Sequence, residues 1–210
     1  MRLNPISACL LLSGAFLCSS ALSEDSVTAV IERMKSPFAI RIAYQETRYL
    51  ELFDAPVDCS GFLYSLPPDG LIKEQKTPSR EILGMLNQHF YYFNPQTGIH
   101  HARPREVDDP VDLRISAFQA LANGNPEQLL EIYAVSFYTE PGRWYMILTE
   151  KNAAESQIRI TVSGAAEQAA DRFEIHESDG DRSVYELKKD AEGEKVRIAF
   201  RQLERELTGE

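Results

Sequence analysis

The chain reads as a mainly β protein with helices, a long antiparallel sheet that curls into a barrel or half-barrel with helices over its open side. Three observations predict this. Alternation of period two recurs along most of the chain, as in Phe38, Ile40, Ile42 and Tyr44 against Ala39, Arg41, Ala43 and Gln45, which is the signature of half-buried strands. Strong turn signals separate the alternating runs: Pro67-Pro68-Asp69-Gly70, Asn94-Pro95-Gln96-Thr97-Gly98, Glu140-Pro141-Gly142 and Asp179-Gly180. The period changes to three and four in only two places, at the start and in the middle.

Ser26 to Lys35 reads as a short helix with Ser26 as N-cap and Val27, Val30, Ile31 and Met34 as its apolar stripe. Strands follow at Phe38 to about Tyr49, Gly61–Leu66, Leu71–Gln75, Glu81–Asn87 and Phe90–Phe93. Asp112 to Ala122 reads as a helix with Leu113, Ala117, Ala120 and Leu121 on one stripe, flanked by Phe118. Asn123-Gly124-Asn125 stops it, and a second helix starts at Pro126, a residue suited to the first helical position. Strands resume at Ala134–Thr139 and at Trp144–Thr149, whose two apolar faces suggest a central strand. The last strands are Ile158–Val162, Phe173–His176, Val184–Leu187 and an alternating run at Val196, Ile198 and Phe200. About nine or ten strands result, too many for a flat open sheet, hence the expected curl.

Residues 1–23 have the layout of a secretory signal peptide: Arg2, a mostly apolar run from Ala8 to Cys18, then Ala21-Leu22-Ser23 before Glu24-Asp25. The run is too short for a permanent membrane span. The expected product is one soluble domain, residues 24–210, working in the periplasm. A retained lipid anchor fits less well, because Cys18 follows Leu17 and only eight residues precede Cys9.

Loss of Arg2 leaves 21 basic residues, from the 22 in the full chain, against 32 acidic ones, a net charge of −11. That balance argues against nucleic acid and anionic membrane surfaces as partners. Of the three cysteines only Cys59 remains after cleavage, so no intramolecular disulfide can form. It reads as a small buried hydrophobe.

Catalytic signals are weak. His89, His100, His101 and His176 show no zinc spacing, and the adjacent pair would point to opposite faces of a strand. There is no G-x-S-x-G elbow and no phosphate-cradling glycine loop. No cofactor, metal or catalytic residue is expected. Glu46 and Arg48 read as a same-face ion pair on a strand.

The remaining signal is aromatic and apolar content on strands. A curved sheet under a helical lid can enclose more apolar surface than its own side chains fill, which leaves a ligand cavity. The candidate lining residues are Ile40, Ile42, Tyr44, Phe62, Tyr64, Met85, Tyr92, Leu113, Ala117, Leu121, Leu130, Phe137, Trp144 and Met146.

An ordered set of short motifs resembles the periplasmic outer-membrane lipoprotein carrier (LolA-like) family. It comprises Tyr44-Gln45-Glu46-Thr47-Arg48, Gly61-Phe62-Leu63-Tyr64, Pro68-Asp69-Gly70-Leu71, the helical block from Ile115 to Ile132, Trp144-Tyr145-Met146-Ile147-Leu148 and Gly180-Asp181-Arg182-Ser183. The resemblance implies an open β-barrel closed by helices, a concave face that holds acyl chains, and no enzymatic step. It also implies lipid or acylated protein as cargo, with membrane-bound donor and acceptor proteins. The chain departs from the family where Leu66-Pro67-Pro68 stands in place of a basic residue before the strand-ending proline. Relatives with that looser pattern resemble accessory carriers, for a lipid or another hydrophobic product. The other reading of the same pattern is a structural or interaction module with a filled core.

Overall fold

A computed structural model describes residues 26–68, 70–106, 109–151 and 158–210. The expected signal peptide and cleavage site, Cys9, Cys18 and Asp69 lie outside the described residues.

The described residues form four helices and one eleven-stranded antiparallel sheet that is not closed into a barrel. In chain order the elements are α1 (Val27–Met34), β1 (Ile40–Tyr49), β2 (Val57–Leu66), β3 (Gly70–Thr77), β4 (Glu81–Leu86), β5 (His89–Asn94), β6 (Ile99–Pro104), α2 (Pro110–Ala122), α3 (Pro126–Ile132), β7 (Tyr133–Glu140), β8 (Arg143–Glu150), β9 (Ile158–Ala165), β10 (Arg172–Glu177), β11 (Arg182–Glu192) and α4 (Glu194–Thr208). The strands lie in the order β6-β5-β4-β3-β2-β1-β11-β10-β9-β8-β7. Two meanders therefore meet where β1 pairs with β11, and the helical block α2–α3 connects the two outer edges.

Each face of the sheet has its own core. On the inner face α1, α2 and α3 pack over Tyr44, Leu63, Trp144, Met146, Leu148, Ile160, Val162, Phe173 and Ile175. On the outer face α4 covers Tyr64, Leu66, Ile72, Ile82 and Leu86 with Val196, Phe200, Leu203 and Leu207. Period-two alternation sends neighbouring residues of one strand into different cores. Leu63 thus belongs to the inner core, and Tyr64 to the outer.

Three sequence expectations change. The run at Val196, Ile198 and Phe200 is part of helix α4, not a strand. Its buried residues, Val196, Phe200, Leu203 and Leu207, follow spacings of four and three, while Ile198 is exposed. Five alternating residues fit both periods, and only the longer run decides between them. Strand β6 was not expected, because nearly all of Ile99–Pro104 is exposed and shows no alternation. Strand β8 is the second from an edge rather than central, and its burial alternates.

The inner helices are fastened individually. Ser26 Oγ accepts from the Ala29 amide at 3.1 Å and caps α1. Asp109 caps α2 by accepting from the amides of Val111 and Asp112 at 2.9 and 3.0 Å. The buried Asp112 accepts from Arg103 Nη1 at 2.7 Å and from the Glu106 amide at 2.7 Å. Tyr133 donates its hydroxyl to the Leu113 carbonyl at 2.9 Å. Gly124 closes α2 with φ +58°, and a Cβ there would stand 2.4 Å from Lys35 Cβ at the end of α1. Only glycine meets both demands.

Candidate binding site

Two cavities lie between α2 and the inner face of the sheet. The first, of about 330 Å³, is bounded by Ile40, Ile42, Leu63, Leu71, Phe173 and Leu187 from the sheet and by Phe118, Leu121 and Ala122 from α2. Ala169 and Ala170 close it on the β9–β10 side, and the α1–β1 link from Lys35 to Phe38 forms its rim. Phe38 is 59% exposed at this rim. The size falls in the range of small-molecule sites, and the wall is mostly hydrocarbon.

The second cavity, of about 380 Å³, adjoins the first and shares Leu63, Leu71 and Phe118 with it. Its floor is polar. Glu46 Oε1 accepts from Arg48 Nε at 2.7 Å and Oε2 from Arg48 Nη2 at 3.0 Å. Lys73 Nζ donates to Glu46 Oε2 at 2.7 Å and to Tyr185 Oη at 3.1 Å. From the lid, Arg114 Nη1 reaches Glu177 Oε1 at 2.6 Å across the same space.

The register explains why one face is apolar at one end and ionic at the other. Ile40, Ile42, Glu46 and Arg48 share the inner side of β1. Ile42 pairs with Leu63 of β2, which pairs with Lys73 of β3, while Glu46 pairs with Tyr185 of β11. Phe118 stands at the change, stacked on Phe173 at 4.5 Å between centroids and edge-on to Tyr185 at 5.4 Å.

Burial alone would push the Glu46 carboxyl up, but the Arg48 hydrogen bonds and the charges of Lys73 and Arg48 hold it down at about 2. Burial pulls Lys73 below its ordinary value, with Glu46 opposing and the like charge of Arg48 adding to the fall. Burial and the nearby Glu46 charge push the Tyr185 phenol well up. The cluster is one carboxylate held between Arg48 and Lys73.

The expected lining residues divide as follows. Ile40, Ile42 and Leu121 line the first cavity. Tyr44, Leu113, Ala117, Trp144 and Met146 lie buried in the inner core around it, and Phe137 packs against that core. Trp144 spends its indole N–H on the Gln168 carbonyl at 3.1 Å. Met85 is buried and pairs with Leu71, and Tyr92 pairs with Leu83 and stacks on His101, so both face inward outside the two linings.

Phe62 and Tyr64 lie on the other face with the α4 core, one strand position out of phase with Leu63. Leu130 is 39% exposed on α3, where Leu129 takes the buried position instead. Leu63, Leu71, Phe118, Ala122, Phe173 and Leu187 are among the lining residues that sequence reasoning missed. The cross-strand partners of Ile42 mark Leu63, but only once the register is known.

Among the described residues no group of three or more His, Cys, Asp or Glu side chains is placed to hold a metal. His100 stacks on Phe93 and His101 on Tyr92, on opposite faces of the sheet. Cys59 is buried in β2, with its thiol pushed up by burial. No described helix is long and apolar enough to cross a membrane.

No family model matches this chain, and no curated protein matches it. Among solved structures it is similar to a LolA superfamily protein from Nitrosomonas europaea, at 10% identity and a TM-score of 0.46, over 81% of this chain and 94% of that one. It is also similar to a DUF1329 family protein from Desulfovibrio piger, at 8% identity and a TM-score of 0.43, over 77% and 88% of the two chains. A domain from Vibrio parahaemolyticus described as an outer membrane lipoprotein-sorting protein matches at 8% identity and a TM-score of 0.39, over 79% and 92%. The first and third bear names from the family that the motifs of this chain resemble, and at these TM-scores none of the three assigns a role to any residue here.

Proposed function

We propose that this protein is a non-enzymatic carrier of acylated or otherwise hydrophobic cargo. The observation that supports it most is the apolar cavity of about 330 Å³ between α2 and the inner face of the sheet. A structural module with a filled core has no use for such a space. Each methylene buried there contributes about 0.8 kcal/mol, so a chain of some ten carbons contributes on the order of 8 kcal/mol. That exceeds the lower estimates of the association cost, about 4 kcal/mol, without any covalent step.

The signal-peptide layout of residues 1–23 supports a periplasmic location and a freely diffusing shuttle cut after Ser23. In this reading the carrier takes lipid or acylated protein from a membrane-bound donor and passes it to an acceptor toward the outer membrane. Release follows from a partner that competes for the cargo or favours an open lid.

Native mass spectrometry of protein purified from a periplasm tests the reading. The expected result is a co-purifying lipid, or uptake of an added acyl probe at one per chain. Neither adduct nor uptake would remove the basis for a carrier.

A further inference from the structure

The two adjoining cavities divide the inner face into an apolar half and an ionic half. Along β1, Glu46 lies four residues beyond Ile42, about 13 Å between their Cα atoms, while on β3 Lys73 stands directly across from Leu63 of the shared wall. A bound molecule that fills both must itself be amphiphilic. The cavities meet at Phe118, Leu63 and Leu71, so a single chain can run from one into the other past the Phe118 ring.

The floor has donors to spare. Lys73 gives one N–H to Glu46 and one to Tyr185, and the third has no acceptor among the described residues. Arg48 spends Nε and Nη2 on Glu46 and Gln75, which leaves Nη1 unspent. Two cations therefore face one carboxylate that is almost fully buried. An anion entering here would complete the cluster with charge-assisted hydrogen bonds.

The same cavity also carries the opposite charge. Glu81 and Asp181 line it, both half-buried. Glu81 accepts from the Ser79 hydroxyl and Asp181 from the Glu51 amide. Neither meets a cation among the described residues. Glu177 is already matched by Arg114. A purely anionic head would face these two carboxylates, and a purely cationic one would face Lys73 and Arg48.

We propose that the second cavity is a head-group site for a zwitterionic amphiphile. Its anionic group sits against Lys73 and Arg48, its cationic group against Glu81, two residues along β4 from the Leu83 that pairs with Lys73, and its chain runs past Phe118 into the first cavity. This deepens the carrier reading and rests on it.

Calorimetric titration of the mature protein with four decyl probes, each below its micellar concentration, tests the proposal. The probes are decylphosphocholine, decyl phosphate, decyltrimethylammonium and the neutral decyl glucoside. Decylphosphocholine should bind tightest, by about tenfold over the glucoside, a ratio that one charge-assisted contact supplies. Lys73→Met should bring the decylphosphocholine-to-glucoside affinity ratio to about one, while Lys73→Arg should retain it. Glu81→Gln should weaken decylphosphocholine and not decyl phosphate. If Lys73→Met fails to fold by circular dichroism, the ranking on the native chain and the Glu81→Gln result decide. Equal binding of glucoside and zwitterion, or decyl phosphate binding as tightly as the zwitterion, would overturn the head-group site and leave the carrier reading standing. Failure of all four probes to bind would overturn both.

Discussion

Lys73 Nζ lies 2.7 Å from Glu46 Oε2 and over the neighbouring rings of Tyr44 and Tyr185, at 4.8 and 4.9 Å from their centroids. Lysine and glutamate come from different strands, β3 and β1, with β2 between them. Their contact, joined by Arg48 of β1 and by Tyr185 of β11, ties β1, β3 and β11 together under the lid. It also places charge beside an apolar chamber, where a filled hydrophobic core would be the simpler solution.

Replacing Glu46 should expose how much that cluster contributes. Its carboxyl is held at about 2 in the folded chain against an ordinary 4.5. A depressed carboxylate stabilises the fold above its unfolded value and loses that contribution as pH falls through the folded one. The loss should therefore run from pH 4.5 down to 2, on the order of 3 kcal/mol. Glu46→Gln should be less stable at pH 7 by a similar amount, and its stability should vary less across that window. Urea unfolding at a series of pH values measures both.

Filling the first cavity should block cargo without unfolding the protein. Ala122 lines it from the last turn of α2. Ala122→Phe should reduce uptake of a fluorescent acyl probe by about tenfold, the effect of losing roughly two buried methylenes. Overpacking a filled core costs roughly 1–3 kcal/mol, and an empty site should cost less. A variant with unchanged uptake would show that the chain binds elsewhere.

The outer core should behave as a separate structural unit. Phe200 of α4 is fully buried against the strand face that carries Tyr64, Ile72 and Ile82. Phe200→Ala should cost roughly 3–5 kcal/mol and leave acyl-probe affinity unchanged once folded. Arg80 bridges Glu74 of β3 and Glu206 of α4 at 3.0 and 2.8 Å, so Arg80→Ala should loosen the same helix by a smaller amount. Hydrogen exchange along α4 reports both variants.

The lid should be weakest where its ion pairs are removed. Asp112 is 1% exposed and receives Arg103 through two nitrogens at 2.7 and 3.0 Å. Asp112→Asn removes the buried carboxylate from Arg103, which keeps the half-exposed Asp109 at 3.1 Å, and should cost on the order of 2 kcal/mol. Amide exchange should accelerate in α2 before it does in β1 or β11. Equal acceleration everywhere would mean that α2 does not open on its own.

Much of the sheet is legible from local chemistry. Ser26 marks the start of α1 and Pro126 that of α3, and the turn at Asp179-Gly180 marks the β10–β11 hairpin. The site is less legible, because facing depends on phase. Phe62 and Tyr64 are larger than Leu63 and look like better cavity residues, yet strand alternation puts them under α4. By sequence Phe118 is only a flank of its helix stripe. Its place between the cavities comes from Phe173 and Tyr185, which are distant in sequence. The run at Val196 to Phe200 shows the limit of short windows, since Leu203 and Leu207 are needed to reveal the helix.

Photocrosslinking with a long-chain fatty acid that carries a diazirine near its methyl end tests the central claim most directly. The account predicts one adduct per chain, mapped by peptide mass spectrometry to residues around Ile42, Leu63 and Leu187, and lost in Ala122→Phe. Adducts confined to the outer face or the exposed Leu52 and Phe53 loop, or labelling unaffected by Ala122→Phe, would contradict it.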